Sequence, residues 1–418
     1  MFNALRHRAI SRLWFGQALS SIGDEIYRVG LTWIAVNLIG ADAGYLAAGQ
    51  AAALMILSFI GGKWADAWEP LDTMVGVDLL RAGLVLIPVV VSMMTTLPLW
   101  LLCAVALTLS ALSAFFDPAL QTALPRFAPD LATLRAATGL MGTTVRLARM
   151  AGPTLVGLLA GVVPPIHFFT MDAVSFGISA LSVRSVRAWE REAGPSDIPD
   201  PEKKRRRLSL GEAVIGGFQA VRRQKGMSYV LLSKALTGGT WNLAYTLGFA
   251  LLAQEMAPGE TRTFGFLMAS YGVGNFLGAL YFGNHPRPRP GLMMFTGYLW
   301  LGSGFVITGF CRTIPEVMVV AAISGFSGPM NDVTFVDLVQ ARFPIGEMTR
   351  IFRLRMALDT AATLSLMLVA PTLFKRISVR VVIALAGALW IAVGAYGLRF
   401  VREVTREGGE SPKDAERG

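Results

Sequence analysis

Acidic residues inside a long apolar run constrain this chain more than any other feature. Residues Leu13–Ile39 read LWFGQALSSIGDEIYRVGLTWIAVNLI, over twenty residues and largely apolar, with Asp24, Glu25 and Arg28 in the middle. At about 1.5 Å per residue, a helix of that length crosses the hydrocarbon core of a bilayer. A charge at mid-span is expensive there, so it faces a bundle interior or a water-filled path. Asp24 and Arg28 are four apart, and Glu25 is three before Arg28, which puts them on one helical face. Two acids against one local base make Asp24 and Glu25 candidates for carrying a coupling proton. The competing reading is a structural ion pair that locks this helix to its neighbours.

The rest of the chain is of the same class. It is 53% hydrophobic and only 16% charged, whereas soluble domains average about 25% charged. The net charge of +10 invites a nucleic-acid partner. However, the bases sit mostly between apolar runs, where the positive-inside rule places them. The two cysteines, Cys103 and Cys311, and the scattered His7, His167 and His285 exclude a disulfide framework and offer no metal-ligand spacing. No phosphate-cradling Gly-x-x-x-x-Gly-Lys loop occurs, so ATP does not drive the chain directly. No catalytic constellation stands out, and neither an enzymatic activity nor a cofactor is expected.

Twelve candidate spans follow one another: roughly Leu13–Ile39, Tyr45–Ala67, Met74–Met94, Leu97–Phe116, Leu140–Val163 and Ile166–Val183, then Met227–Leu252, Phe264–Gly283, Gly291–Phe310, Pro315–Leu338, Leu354–Phe374 and Val379–Phe400. Basic residues concentrate before the first span, in the central loop and in the tail, so both termini are expected in the cytoplasm of a bacterial inner membrane. The Lys375, Arg376 and Arg380 cluster violates the pattern. The segment GPSDIPDPEKKRRR reads as a flexible linker. After it, Leu210, Val214, Phe218 and Val221 recur at helical spacing, as in an amphipathic helix on the membrane face. The resulting division is a six-helix bundle over 1–186, a linker with amphipathic helix over 187–225, a second six-helix bundle over 226–402, and a disordered tail over 403–418. This is an all-α membrane protein of two pseudo-symmetric six-helix bundles, an arrangement suggesting the major facilitator architecture.

Several stretches carry a more specific likeness: FGQALSSIGDEIYRVGLTW (Phe15–Trp33), DLLRA (Asp78–Ala82), FFDPALQTALP (Phe115–Pro125), ARMAGPTLVG (Ala148–Gly157) and DAVSFGISALSV (Asp172–Val183). They resemble the major facilitator branch that includes bacterial enterobactin exporters and macrolide-efflux pumps. The resemblance implies that fold and secondary transport. In that family the loop between spans 2 and 3 carries an acid and several bases that latch helices together on the cytoplasmic side. Here the matching stretch is GKWADAWEPL: Gly62 and Asp66 survive, while Ala67, Glu69, Pro70 and Leu71 replace the expected bases and glycine. The latch is therefore weakened or rewired, with Asp66 kept as a gating candidate.

Other polar residues fall on spans expected to line a cavity. Gly152 and Pro153 in span 5 resemble part of an exporter motif and make a pliable, closely packed spot. Arg146 and Arg149 on the same span must pair with acids or bind an anion; Asp24, Glu25 and Asp117 are all available partners. Asp117 is a further proton candidate. Arg28, Trp241, Asn242, Tyr245, Asn331 and Asp332 are candidate cavity residues. Asp337, Arg353, Arg355 and Asp359 form a candidate gating network between spans 10 and 11.

The function expected from this set is a monomeric secondary exporter, coupled to protons and working by alternating access. Its cargo would be a mid-sized amphipathic molecule such as a siderophore, antibiotic or drug. A lipid or lysolipid flippase, or an uptake system, is the alternative within the class. A non-transporting membrane sensor or assembly partner is the alternative outside it.

Overall fold

The structure is a computed structural model and describes residues 2–60, 68–160, 162–193, 210–285 and 289–406. Among them the regular structure is helical throughout. The chain divides into two compact units, one of Met1–Leu210 with Gly259–Ala269, the other of Gly211–Pro258 with Ser270–Gly418.

The first unit holds α1 (Arg8–Ile39), α2 (Ala43–Ile60), α3 (Pro70–Met94), α4 (Leu99–Ala123), α5 (Leu131–Leu159) and α6 (His167–Ala193). Local signals set several ends. Gly40, at φ 57°, stops α1 in the left-handed region that a side chain disfavours. Glu69 caps α3 by accepting from the Asp72 amide at 2.9 Å, with Pro70 as the first helical residue.

A glycine seam joins α1 to α6. A Cβ on Gly16 would lie 2.7 Å from Ser182 Cβ, one on Gly23 would lie 2.2 Å from Ser175 Oγ, and one on Gly30 would lie 3.1 Å from the Phe168 ring. These contacts step along both helices by seven residues in opposite directions, the repeat of left-handed helix packing. Small residues let the two backbones meet, which is how helices associate where water provides no hydrophobic drive. The segment Gly259–Ala269 adds to this unit by stacking Phe264 on Trp33, ring centroids 5.2 Å apart.

The second unit holds α7 (Leu210–Arg223), α8 (Met227–Trp241), a π-helical segment (Asn242–Gly248), α9 (Phe249–Met256), the part of α10 (Thr261–Asn284) from Ser270 onward, α11 (Pro290–Thr308), α12 (Ile314–Gly325), α13 (Gly328–Arg342), α14 (Ile345–Arg376) and α15 (Val379–Arg406). The same seven-residue beat recurs between α11 and α15: a Cβ on Gly302 would lie 2.7 Å from the Gly387 carbonyl, one on Gly309 would lie 2.9 Å from the Arg380 carbonyl, and one on Gly394 would lie 2.9 Å from the Phe295 carbonyl.

Two expected single spans are interrupted. Span 7 runs through the π-helical segment, and span 10 breaks at Phe326 and Ser327, just before Gly328-Pro329. Two others start earlier than their apolar runs: α5 at Leu131 and α14 at Ile345. In the amphipathic helix α7, Val221 and Val214 of the expected stripe turn inward while Phe218 does not. Ala220 and Val221 are buried, and a Cβ on Gly217 would lie 2.6 Å from the Arg350 carbonyl of α14, while Phe218 and Ile215 are exposed.

Seven helical stretches among the described residues are long and apolar enough to cross a membrane: Arg8–Ser58, Pro70–Met94, Leu99–Phe127, Thr261–Asn284, Pro290–Thr308, Arg350–Arg376 and Val379–Arg399. The first of these contains two expected spans in one run. The remaining expected spans fall short for a physical reason: α5 carries Arg146 and Arg149, α6 carries Asp172 among serines, and spans 7 and 10 are interrupted.

Candidate functional site

In the first unit Glu25 is held from two sides. The Arg28 guanidinium, one turn along α1, donates to Glu25 Oε2 through Nε at 2.9 Å and also through a terminal nitrogen. Arg149 of α5 brings Nε to 3.7 Å from the other oxygen, Oε1. Glu25 is thus the acid facing Arg149, a choice the sequence left open. Beneath the pair, a Cβ on Gly152 would lie only 2.4 Å from Glu25 Cβ, so glycine is what lets α5 reach α1 here. Pro153 follows inside α5. Lacking an amide hydrogen, it leaves the Arg149 carbonyl without its helical donor. Trp14 Nε1 donates to Thr144 Oγ1 at 2.7 Å lower in the same helix pair. Arg146 stands three residues before Arg149 on α5.

Behind this open layer lies a sealed one that the sequence reading passed over. Asp78 and Arg81 of α3 and Asp172 of α6 are buried, at 0%, 5% and 0% exposure. Arg81 lies 3.9 Å from Asp78 Oδ1, and its guanidinium sits over the rings of Phe116 at 5.1 Å and Phe176 at 5.3 Å. Two aromatic faces hold the cation in place on α3. Its charge is felt by Asp24, Asp78, Asp117 and Asp172 alike. Asp24 and Asp117 lie close among these charged groups yet keep solvent-exposed surfaces. The arrangement is therefore two open carboxylates and two sealed ones around a single sealed guanidinium.

The signal for the sealed layer was present in the sequence. The rule that singled out Asp24, a charge inside an apolar span, applies equally to Asp78, Arg81 and Asp172, and all three lie in stretches already noted for their family likeness.

At the edge of this unit, Arg126 donates to Glu69 at 2.7 Å, and Arg187 of α6 pairs with Asp72 in the first turn of α3. The loop between α2 and α3 thus ends in acids that meet bases from α6 and the turn after α4. Asp66 lies outside the described residues.

In the second unit, Lys234 of α8 is nearly buried and donates to Asp332 Oδ1 of α13 at 2.5 Å, while Asp332 keeps an exposed side chain. Asp359 of α14 lies in the field of both, and its Oδ2 accepts from Arg355 Nε at 3.2 Å. Arg355 also stacks over Phe335 at 4.8 Å. Of the four residues expected to form a network between spans 10 and 11, Arg355 and Asp359 pair, and Lys234 on span 7 and Asp332 lie within their field. Asp337 and Arg353 are half-buried on α13 and α14.

The aromatic candidates gather around the π-helical segment. Trp241 and Tyr245 lie 4.5 Å apart, as do Tyr245 and Tyr271, and Phe249 lies 5.3 Å from Tyr245. Tyr245 is sealed in this stack, whereas Trp241 is half-buried. Asn242 donates to the Gly238 carbonyl at 3.2 Å and to Thr363 Oγ1 at 3.3 Å. Asn331 is buried against Gly297, with its Oδ1 unpaired. Of the aromatic and amide candidates here, Trp241 offers more open surface than Tyr245 or Asn331. Single π turns are common at functional positions, and this seven-residue segment carries two of the candidates, Asn242 and Tyr245, directly after Trp241.

Comparison with known proteins fits this picture. The family described as "Transmembrane secretion effector" matches residues 1–291. The multidrug efflux pump Tap of Mycolicibacterium fortuitum is 25% identical over 337 residues, 76% of this chain and 78% of that protein. The pump of the same name from Mycobacterium tuberculosis is 23% identical over 342 residues, 76% of each. Among solved structures, an auto-inhibited POT family peptide transporter gives a TM-score of 0.73 at 11% identity, covering 94% of this chain and 97% of that one. A bacterial homologue of the iron transporter ferroportin, in an inward-facing state, gives 0.66 at 15% identity, covering 93% and 98%. At such identities the likeness speaks for the fold.

Proposed function

The chain belongs to the transmembrane secretion effector family of major facilitator transporters, and from that premise we propose that it is a proton-driven exporter of mid-sized amphipathic molecules. Twelve crossings of a bacterial cytoplasmic membrane, with both termini inside, fit the distribution of basic residues. Drugs and antibiotics are the favoured cargo, in keeping with the multidrug pumps it is similar to, and siderophores are the further class.

The observation that carries this reading is the placement of Asp24 and Asp117. Both lie deep among the helices of the first unit yet keep exposed side-chain surface, and both lie in the field of the sealed Arg81 guanidinium. A carboxylate reached by water can exchange a proton with either aqueous side when the path to it opens and closes in turn. Both acids share the field of the one Arg81 guanidinium, so a proton arriving on one leaves that field to the others. A cationic or dipolar cargo and a proton then compete for the same carboxylates, which couples their movements in opposite directions. Glu25, tied to Arg28 and Arg149, positions those two bases at the rim of the same layer.

The test uses full-length protein in liposomes with ethidium as the probe and an imposed pH gradient. Wild type drives ethidium against its concentration gradient, and Asp24→Asn and Asp117→Asn lose that uphill movement. Uphill transport at wild-type rates in both variants overturns the reading.

A further inference from the structure

The mechanism above uses the open acids and leaves the sealed ones idle. Yet Asp78 and Asp172 are the most completely buried carboxylates of the first unit, and the fold gives them little. Neither oxygen of Asp78 has a hydrogen-bond partner, nor has Asp172 Oδ2, Arg81 Nε or the buried Tyr27 hydroxyl. Ser175 Oγ reaches Asp172 Oδ1 at 3.3 Å, and Ser179 faces Asp78. Groups like these are rarely left unpaired in a protein interior, so five orphaned atoms gathered around one spot call for occupants.

Counting charge identifies the occupants. Two sealed carboxylates stand against one sealed guanidinium, which leaves one negative charge over. An uncompensated buried charge is strongly destabilising. A metal ion is poorly placed to supply the balance, because no group of three or more acids, histidines and cysteines with metal-binding geometry is found among the described residues and Arg81 repels a second cation. A proton can, with water on the remaining oxygens.

We propose that Asp78 and Asp172 form a sealed proton-binding station behind Asp24, with Arg81 clamped between the open and sealed layers. The proposal rests on the proton-driven reading above. The groups facing the station are Asp24 and Tyr27 of α1, Arg81 of α3, and Ser175 and Ser179 of α6; Glu25 of α1, Asp117 of α4 and Arg149 of α5 act on it through Asp24 and Asp117. In the loading step one O–H bond on Asp24 breaks, a water relays the proton, and one O–H bond forms on Asp172 or Asp78. Asp24 is left a carboxylate again, and the sealed layer becomes neutral. Unloading restores the surplus charge, which the fold can offset only by admitting water along α3, beside the meshed α1 and α6. The station therefore ties the proton to helix position as well as to cargo.

The test reads the proton directly. Full-length protein in liposomes is titrated by infrared spectroscopy, watching the carboxylic-acid C=O band and its shift in heavy water. Wild type shows a buried, slowly exchanging band. Asp78→Asn and Asp172→Asn each lose it, Asp24→Asn keeps it, and Asp78→Glu and Asp172→Glu, which retain the acid, restore it. In the same liposomes both Asn variants lose gradient-driven ethidium efflux by about tenfold or more but keep downhill ethidium counterflow. Absence of the band in wild type, or its persistence in both Asn variants, overturns the station whatever the transport result. Failure of wild type to drive ethidium while the band behaves as stated overturns the proton-driven reading and leaves the buried proton in place.

Discussion

Gly152 of α5 and Glu25 of α1 approach so closely that a methyl group on the glycine would lie 2.4 Å from Glu25 Cβ and 3.3 Å from its carbonyl carbon. The obstacle is backbone as well as side chain, so it cannot rotate away. Gly152→Ala should cost about 1–3 kcal/mol through overpacking, read as a lowered unfolding midpoint in detergent. Gly76→Ala and Gly83→Ala on α3 are the controls: no atom lies within 4 Å of either added methyl, and helix propensity should make them neutral or stabilising by up to about 1 kcal/mol.

Arg81 should tolerate no substitution. Arg81→Lys keeps the charge but not the planar group between Phe116 and Phe176, and the loss should be about 2 kcal/mol. Arg81→Met leaves the sealed acids without compensation and should lose about 3–5 kcal/mol. Thermal unfolding of the purified protein orders the two variants. A lysine variant as stable as wild type would show that the ring contacts contribute nothing.

Arg149 behaves differently because its side chain is 67% exposed. Its pairing with Glu25 is screened by solvent, so Arg149→Gln should change stability by less than about 1 kcal/mol. Its effect should fall on transport, and ethidium efflux measured beside the melting curve separates the two.

Asp130 gives a pH dependence outside the membrane spans. It caps α5 by accepting from the Thr133 amide at 2.7 Å, and that bond holds its carboxyl below the usual value. A group depressed by folding stabilises the fold above its ordinary value, and the benefit is lost as pH falls through the lower, folded value. Amide hydrogen exchange over residues 131–135 should therefore quicken below the ordinary carboxylate range in wild type. In Asp130→Ala it should already be fast at neutral pH and no longer change there.

Much of this was legible before any coordinates. The length of Leu13–Ile39 and the acids within it are one-dimensional facts, as are the arginines of α5 and the Gly152-Pro153 pair. Partner choice was not legible: that Glu25 rather than Asp24 meets Arg149 depends on how α1 turns against α5. The π-helical segment was hidden too, since its hydrogen-bond register leaves no mark on apolar periodicity. Asp78, Arg81 and Asp172 were passed over for another reason. They lie in stretches noted for their family likeness, and only burial shows that Arg81 is shared among four acids.

The glycine seam between α1 and α6 has a kinetic side. Its teeth mesh at Gly16, Gly23 and Gly30, like a rack that fits in one position only. Sliding α1 by a single turn would drive each neighbouring side chain onto Ser182, Ser175 or Phe168. Whatever journey α1 makes in a transport cycle, α6 must travel with it as the same plank, carrying Asp24 and Asp172 together.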